Sequence, residues 1–356
     1  MQRVLAIIAV LVIAVATVGC LSRTPKQSGV FTSTTNGAAW SAQPNLTDKN
    51  VKRPKVYPPL EVTAAAVSPT DTSVMYAGTA RSLYLTTNGG KEWSLLDDKL
   101  PGAVKSIAVQ QIVTVPGSPD VVYVAGVSGG YGKLLKSTDR GNSFKDIFTV
   151  ATPKAAATTV ATQPGAAETV YVGDQKGLVY QSTNGGGAWN QVANTEAPVS
   201  SLGFSGKNLV IGSAGAGIWR QDGNGFVRVG LPDNESNVWA MTYAFGSLFA
   251  GANSGLLVSR DGGVTWSVVK TTLTPGQRVQ ALAASNSTLY FASNAVVYRT
   301  GPALSSFEPT QLQLVKNVYS LATSPANPTF VLAGANSSSS SFADRFGGSG
   351  FLSLAQ

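Results

Sequence analysis

The chain has 356 residues, 43% of them hydrophobic, which is enough apolar material for a large core and argues against global disorder. Charged side chains are only 12%, yet 26 Lys and Arg against 18 Asp and Glu leave a formal charge of +8; that balance suits anionic lipid or an acidic protein, and neither a groove-binding basic helix nor the aromatic strands of an RNA reader accompany it. Histidine is absent and Cys20 is the single cysteine, which excludes an internal disulfide, Ser-His-Asp and Cys-His catalysis, and a His/Cys zinc site.

Taken in chain order, the first segment is an address. Arg3 precedes an apolar run from Val4 to Val18, and Gly19 and Cys20 follow. A positive start, an apolar middle and small residues at its end describe a secretory signal. The run is shorter than the ~20 apolar residues of a spanning helix. Thr17-Val18-Gly19-Cys20 resembles the bacterial lipoprotein signal, with Thr17 where leucine is usual. The expectation is a signal over 1–20 with lipidation at Cys20, then a polar tether over 21–28. An uncleaved anchoring helix and a cleaved, soluble product are the alternatives. The lipidated form predicts an extracytoplasmic, membrane-anchored protein.

Residues 29–356 read as one repeating domain. An apolar strand ending in a small residue recurs at Met75–Gly78, Tyr123–Gly126, Val170–Gly173, Val210–Gly212, Phe249–Gly251, Tyr290–Ser293 and Val331–Gly334. The spacing of about 40 to 50 residues is that of four-stranded propeller blades. A second strand, rich in Ala, Ser and Val, precedes each copy. It reads Val62–Val67, Val104–Val109 and Thr158–Ala161, then starts at Val199, Val238, Val279 and Val318. Small residues suit the crowded strand nearest a propeller axis. Many of the 38 Gly and 18 Pro fall in tight-turn dipeptides between strands.

A third element follows the pattern Ser/Thr-x-Asp/Asn-x-Gly-x-x-Trp/Phe. It stands as Thr86, Asn88, Gly90 and Trp93; as Ser137, Asp139, Gly141 and Phe144; as Ser182, Asn184, Gly186 and Trp189; and as Ser259, Asp261, Gly263 and Trp266. Such residues fit a hairpin whose Asx side chain bonds its own turn and whose Gly takes positive φ. Decayed copies lie at Arg220–Phe226 and Thr300–Phe307. A further copy, Ser33–Trp40 with Thr35 at the Asp place, has no preceding strands, while the repeat at 318–334 has no box after it. Residues 29–42 are therefore expected to complete the blade begun by 318–334, closing the ring without an open edge. Gly350–Leu354 is a competing strand for that blade. The prediction is an all-β, seven-bladed propeller of four-stranded antiparallel blades, closed by N- and C-terminal strands in one blade. A Pro-rich crossover is expected over 43–61 and a flexible Ser-rich loop over 336–350.

These boxes resemble the bacterial-neuraminidase (Asp-box) repeat family, and the whole chain is similar in length, blade number and export signal to the Ycf48-type photosystem II assembly factors. The resemblance implies that the box residues are structural, at the blade periphery away from the ligand-binding axis. It also implies an assembly factor that binds a membrane protein, with a photosystem as candidate client. The same superfamily contains sialidases and other glycoside hydrolases. Their Arg-Ile-Pro motif is absent here, and Arg140 and Arg260 sit inside boxes.

Two functional classes follow. A glycoside hydrolase would need paired carboxylates, with Glu61, Glu196 and Glu235 as candidates. Gly129–Lys133 looks like a phosphate loop but reads better as a hairpin turn. A binding scaffold would use the loops at one face. The residues expected to enter the inner strands there are Lys105, Lys154, Trp239, Arg278 and Lys316, a largely cationic ring suited to an acidic segment of a membrane protein. The preferred reading is this scaffold: a monomer, not an enzyme, with no cofactor, no metal and no nucleic-acid partner. The alternative is a glycoside hydrolase or glycan-binding propeller.

Overall fold

A computed structural model describes residues 29–43, 61–313 and 317–335. The signal with Cys20, the tether, most of the crossover, the 336–350 loop, Gly350–Leu354 and Lys316 lie outside the described residues. The described chain forms seven four-stranded antiparallel sheets. Blades 1 to 6 are sequential meanders, at residues 62–95, 108–149, 157–194, 199–229, 238–268 and 281–313. Blade 7 joins strands Val318–Ser324 and Asn327–Ala335 to Gly29–Ser33 and Ser41–Gln43. Closure by both ends is therefore as expected: Gly29 to Ser33 pair with Ala335 to Val331 in register.

The first strand of each blade faces the axis, and all seven contribute to one central cavity. The glycines that close the second strands have a packing cause. A Cβ added to Gly78 would lie 2.4 Å from Val109 of the next blade, and one added to Gly173 would lie 2.4 Å from Val199. At these boundaries glycine at the end of the second strand lets the next blade approach closely. Ser320 Oγ accepts from the Ala65 N–H and donates to the Ala65 carbonyl, fastening blade 7 to blade 1.

The predicted box turns share one geometry. In each, the first hydroxyl donates to the third residue's side chain and accepts from the glycine N–H. Ser137 Oγ donates to Asp139 Oδ1 at 2.7 Å and accepts from Gly141 N at 2.8 Å, and Asp139 Oδ1 also accepts from Ser143 N. The set recurs at Thr86/Asn88/Gly90, Ser182/Asn184/Gly186 and Ser259/Asp261/Gly263. The Ser33 turn keeps it with a hydroxyl substitute: Gly37 N donates to Ser33 Oγ, and Thr35 Oγ1 accepts from Ala39 N. The last two residues of each motif's first five take positive φ, as at Gly185 (68°) and Gly186 (103°), which is why glycine dominates there.

The box aromatics fill the gap to the preceding blade. Trp93, fully buried, packs with Val30, Phe330 and Leu332 of blade 7. Phe144 packs against Leu96 and Leu100, Trp189 against Ile147 and Phe148, and Trp266 against Val210 and Ile218. The decayed boxes retain this function: Phe226 joins Tyr171 and Phe204, and Phe307 joins Phe249 and Phe291.

One strand differs from expectation. Val104–Val109 was expected as the first strand of blade 2, but that strand is Ala108–Val115. Pro101 and Gly102 turn the chain, and Val104 and Ile107 are buried in the gap between blades 1 and 2 without pairing in a sheet. An apolar run filling a gap carries the same sequence signal as a strand.

Candidate functional site

Antiparallel order divides the turns between two faces. Turns joining strands one and two, and three and four, lie at one face; the latter are the boxes. Turns joining strands two and three, and the connections between blades, lie at the other. Hydrogen bonds follow the same division. On the box face, Gly89 N donates to Ser73 O, Arg140 N to Asp120 O and Gly185 N to Glu168 O. On the loop face, Ile107 N donates to Arg81 O, Lys154 N to Gly130 O and Gly215 N to Ser236 O.

Between the faces runs an axial cavity of about 360 Å³. At its loop-face end stands one residue per blade: Thr63, Gln110, Thr158, Ser200, Trp239, Gln280 and Tyr319. None is more than 8% exposed. Four of them stitch their blade to the next through its first strand. Thr63 Oγ1 donates to Val109 O at 2.7 Å, Thr158 Oγ1 to Val199 O, Ser200 Oγ to Val238 O, and Gln280 Nε2 to Val318 O at 3.2 Å. Trp239 and Tyr319 instead pack together, with Ala214. Trp239 Nε1 donates to Asn253 Oδ1 at 2.8 Å, and the Arg278 guanidinium lies 5.8 Å from the Trp239 ring centroid, within cation–π range. At the other end Thr114, Thr242, Ala284 and Thr323 are half-buried. Side chains lining the cavity are thus more buried at its loop-face end than at its box-face end.

The expected basic ring is only partly assembled. Arg278 and Trp239 meet. Burial pushes the Arg278 guanidinium below its usual range, partly opposed by Tyr319. Lys105 and Lys154 are exposed on successive blade connections of the loop face. Lys105 stands ahead of its strand rather than within it, because the strand begins at Ala108. Lys154 holds a left-handed backbone, φ 60°. The innermost positions belong to the seven buried residues above, of which sequence reasoning named only Trp239. The signal for the others was present: most directly follow a recurring valine, as in Val62-Thr63, Val199-Ser200, Val279-Gln280 and Val318-Tyr319.

The candidate carboxylates lie on the loop face, off the axial cavity. Glu61, Glu196 and Glu235 belong to three separate connections, and none lines the axial cavity. Glu196 is exposed. Glu235 Oε1 accepts from the Ser236 and Asn237 N–H groups, and its Oε2 accepts from Ser254 N. This carboxylate braces two loops. The Gly129–Lys133 segment forms the expected hairpin between strands Ser118–Ser128 and Tyr131–Ser137.

The box carboxylates are held by their own turns. Hydrogen bonds from Thr265, first its hydroxyl, lower Asp261 to about 2. The Ser143 hydroxyl likewise lowers Asp139. Arg140 pairs with Asp120 at 2.5 Å on the box face, away from the axis.

No protein-family model matches the chain, and no curated protein matches it in sequence. Its fold is shared by several solved propellers. The GH74 enzyme of Niastella koreensis is 14% identical, with a TM-score of 0.63 over 82% of this chain; the chain spans about half (52%) of that enzyme's length. YCF48 from Cyanidioschyzon merolae is 13% identical, with a TM-score of 0.57 over 78% of this chain and 96% of its own. YCF48 bound to D1 peptide is 16% identical, with a TM-score of 0.58 over 78% of this chain and 95% of its own. At these identities the likeness shows the fold alone: a β-propeller, shared with the GH74 enzyme and with YCF48.

Proposed function

We propose that this protein is a non-catalytic, extracytoplasmic scaffold, anchored through the Cys20 region, that binds a membrane protein or complex through its loop face. The observation that carries the proposal is the placement of Lys105, Lys154 and Arg278 on that one face, with both lysines exposed. Exposed cations on loops set in a rigid frame suit an acidic extramembrane segment and speed its capture. The YCF48 structure with D1 peptide offers a propeller of this shape holding a peptide, and a photosystem-type client is the corresponding proposal here. The competing reading, glycoside hydrolysis, needs two carboxyl groups within ~5 to 9.5 Å of each other across a substrate. Glu61, Glu196 and Glu235 are neither on the cavity nor on a common connection.

The test is binding. A Lys105→Glu/Lys154→Glu chain is expected to lose its client while unfolding at the same temperature as the parent, because both side chains are exposed. Unaltered client binding would remove the loop face from the account. Turnover of fluorogenic glycosides that is abolished by Glu61→Gln, Glu196→Gln or Glu235→Gln would favour the hydrolase instead.

A further inference from the structure

We infer that the loop face is turned toward the membrane and that its exposed lysines meet anionic lipid headgroups. The inference rests on the anchor proposed above and adds an orientation to it.

The first support is connectivity. Strand Gly29–Ser33 is the third strand of blade 7, so it runs from the loop face to the box face. Gly29 therefore stands at the loop face, as do Gln43, Glu61 and Ala335, which end or precede strands there. Residues 21–28 can span at most about 32 Å between Cys20 and Gly29. A lipid at Cys20 holds the loop face within that distance of the bilayer. The box face lies a further strand length away, roughly 17 to 20 Å.

The second support is charge, and it is independent of the anchor. Exposed loop-face cations are Arg81, Lys99, Lys105, Lys154, Lys176 and Lys270, with half-buried Arg278 behind them. Exposed acids there are fewer: Asp98, Glu196 and Asp233, with Asp97 and Glu61 half-buried. Asp98 and Lys99 pair with each other, so neither adds to the net charge of the face. Asp174 is buried against the Lys176 and Leu178 N–H groups, and Glu235 is tied to backbone. On the box face the balance reverses. Asp71, Glu92, Asp120, Glu168, Asp222 and Asp261 are exposed there, against Lys91, Arg140, Lys207 and Arg260. A molecule polarised in this way turns its cationic side to an anionic surface within about a Debye length, ~8 Å at physiological salt. Tether and field select the same face.

The experiment uses the full-length, lipidated chain in phosphatidylcholine vesicles with and without phosphatidylglycerol, and no client protein. Single fluorophores are placed at Ala103→Cys on the loop face and at Ser287→Cys on the box face, both exposed positions. A headgroup-linked quencher lipid reports proximity. Quenching is expected to be several-fold stronger at 103 than at 287, to increase with phosphatidylglycerol, and to fall in high salt and in a Lys105→Glu/Lys154→Glu/Lys270→Glu chain. Equal or stronger quenching at 287 overturns the orientation, and indifference to phosphatidylglycerol overturns the headgroup contact. A chain that separates from both kinds of vesicle overturns the anchor, and the orientation with it.

Discussion

On the box face, five turns from five blades repeat the same two bonds, one between the first hydroxyl and the third residue's side chain and one from the glycine N–H to that hydroxyl, with an aromatic behind each. On the loop face the connections differ in length, charge and brace. Ile107 reaches back to Arg81, Glu235 clamps three N–H groups, and Trp239 carries Arg278. A geometry repeated in five blades serves a need common to them, which is attachment to a neighbour. A geometry used once is free to serve a partner. The contrast gives the box turns a shared structural role and leaves the loop face as the place of the proposed recognition.

The largest expected effect tests the box side. Trp93→Ala empties a fully buried site between blades 7 and 1 and should cost about 3–5 kcal/mol, read as a fall in the denaturant midpoint. A loss under ~1 kcal/mol would mean that the box aromatics do not hold the ring together. Next is Ser137→Ala, which deprives the Gly141 N–H and Asp139 of their shared partner and should cost about 1–3 kcal/mol without altering client binding.

A smaller contrast is electrostatic. Asp261 on the box face has its folded pKa lowered to about 2, so its contribution is present above the unfolded value near 4 and is lost as pH falls toward 2. Asp174 on the loop face has its folded pKa raised by burial. Its ionisation therefore weakens the fold as pH rises through and above the unfolded value. Circular dichroism during acid titration should show Asp261→Asn flattening the acid loss and Asp174→Asn steepening it. Shifts of the same sign in both variants would contradict these opposite environments. Smallest of all is Lys154→Gly. It relieves a left-handed lysine at an exposed site and should change stability by no more than ~1 kcal/mol, while client binding weakens through the lost charge. Calorimetry and binding on the same sample separate the two.

The box side was legible from the sequence because its signal is local. Ser137, Asp139, Gly141 and Phe144 lie within one turn, and the spacing repeats. Even the closure of blade 7 could be read, since Ser33–Trp40 lacked preceding strands and 318–334 lacked a box. The axial ring was less legible. Thr63 bonds to Val109 and Gln280 to Val318, across blade boundaries that spacing alone does not register. Glu235 resembled a free acid because its acceptor role depends on Ser254, in another loop. Lys105 was placed inside a strand because buried Val104 and Ile107 imitate one.

The most direct test of the scaffold account is gentle solubilisation of membranes from the native host carrying tagged, full-length protein, with co-purifying proteins identified by mass spectrometry in the parent and in Lys105→Glu/Lys154→Glu. The account predicts one membrane protein recovered near equal amount with the parent and lost from the variant. Equal recovery in both, or no membrane protein in either alongside glycoside turnover by the parent, would contradict it.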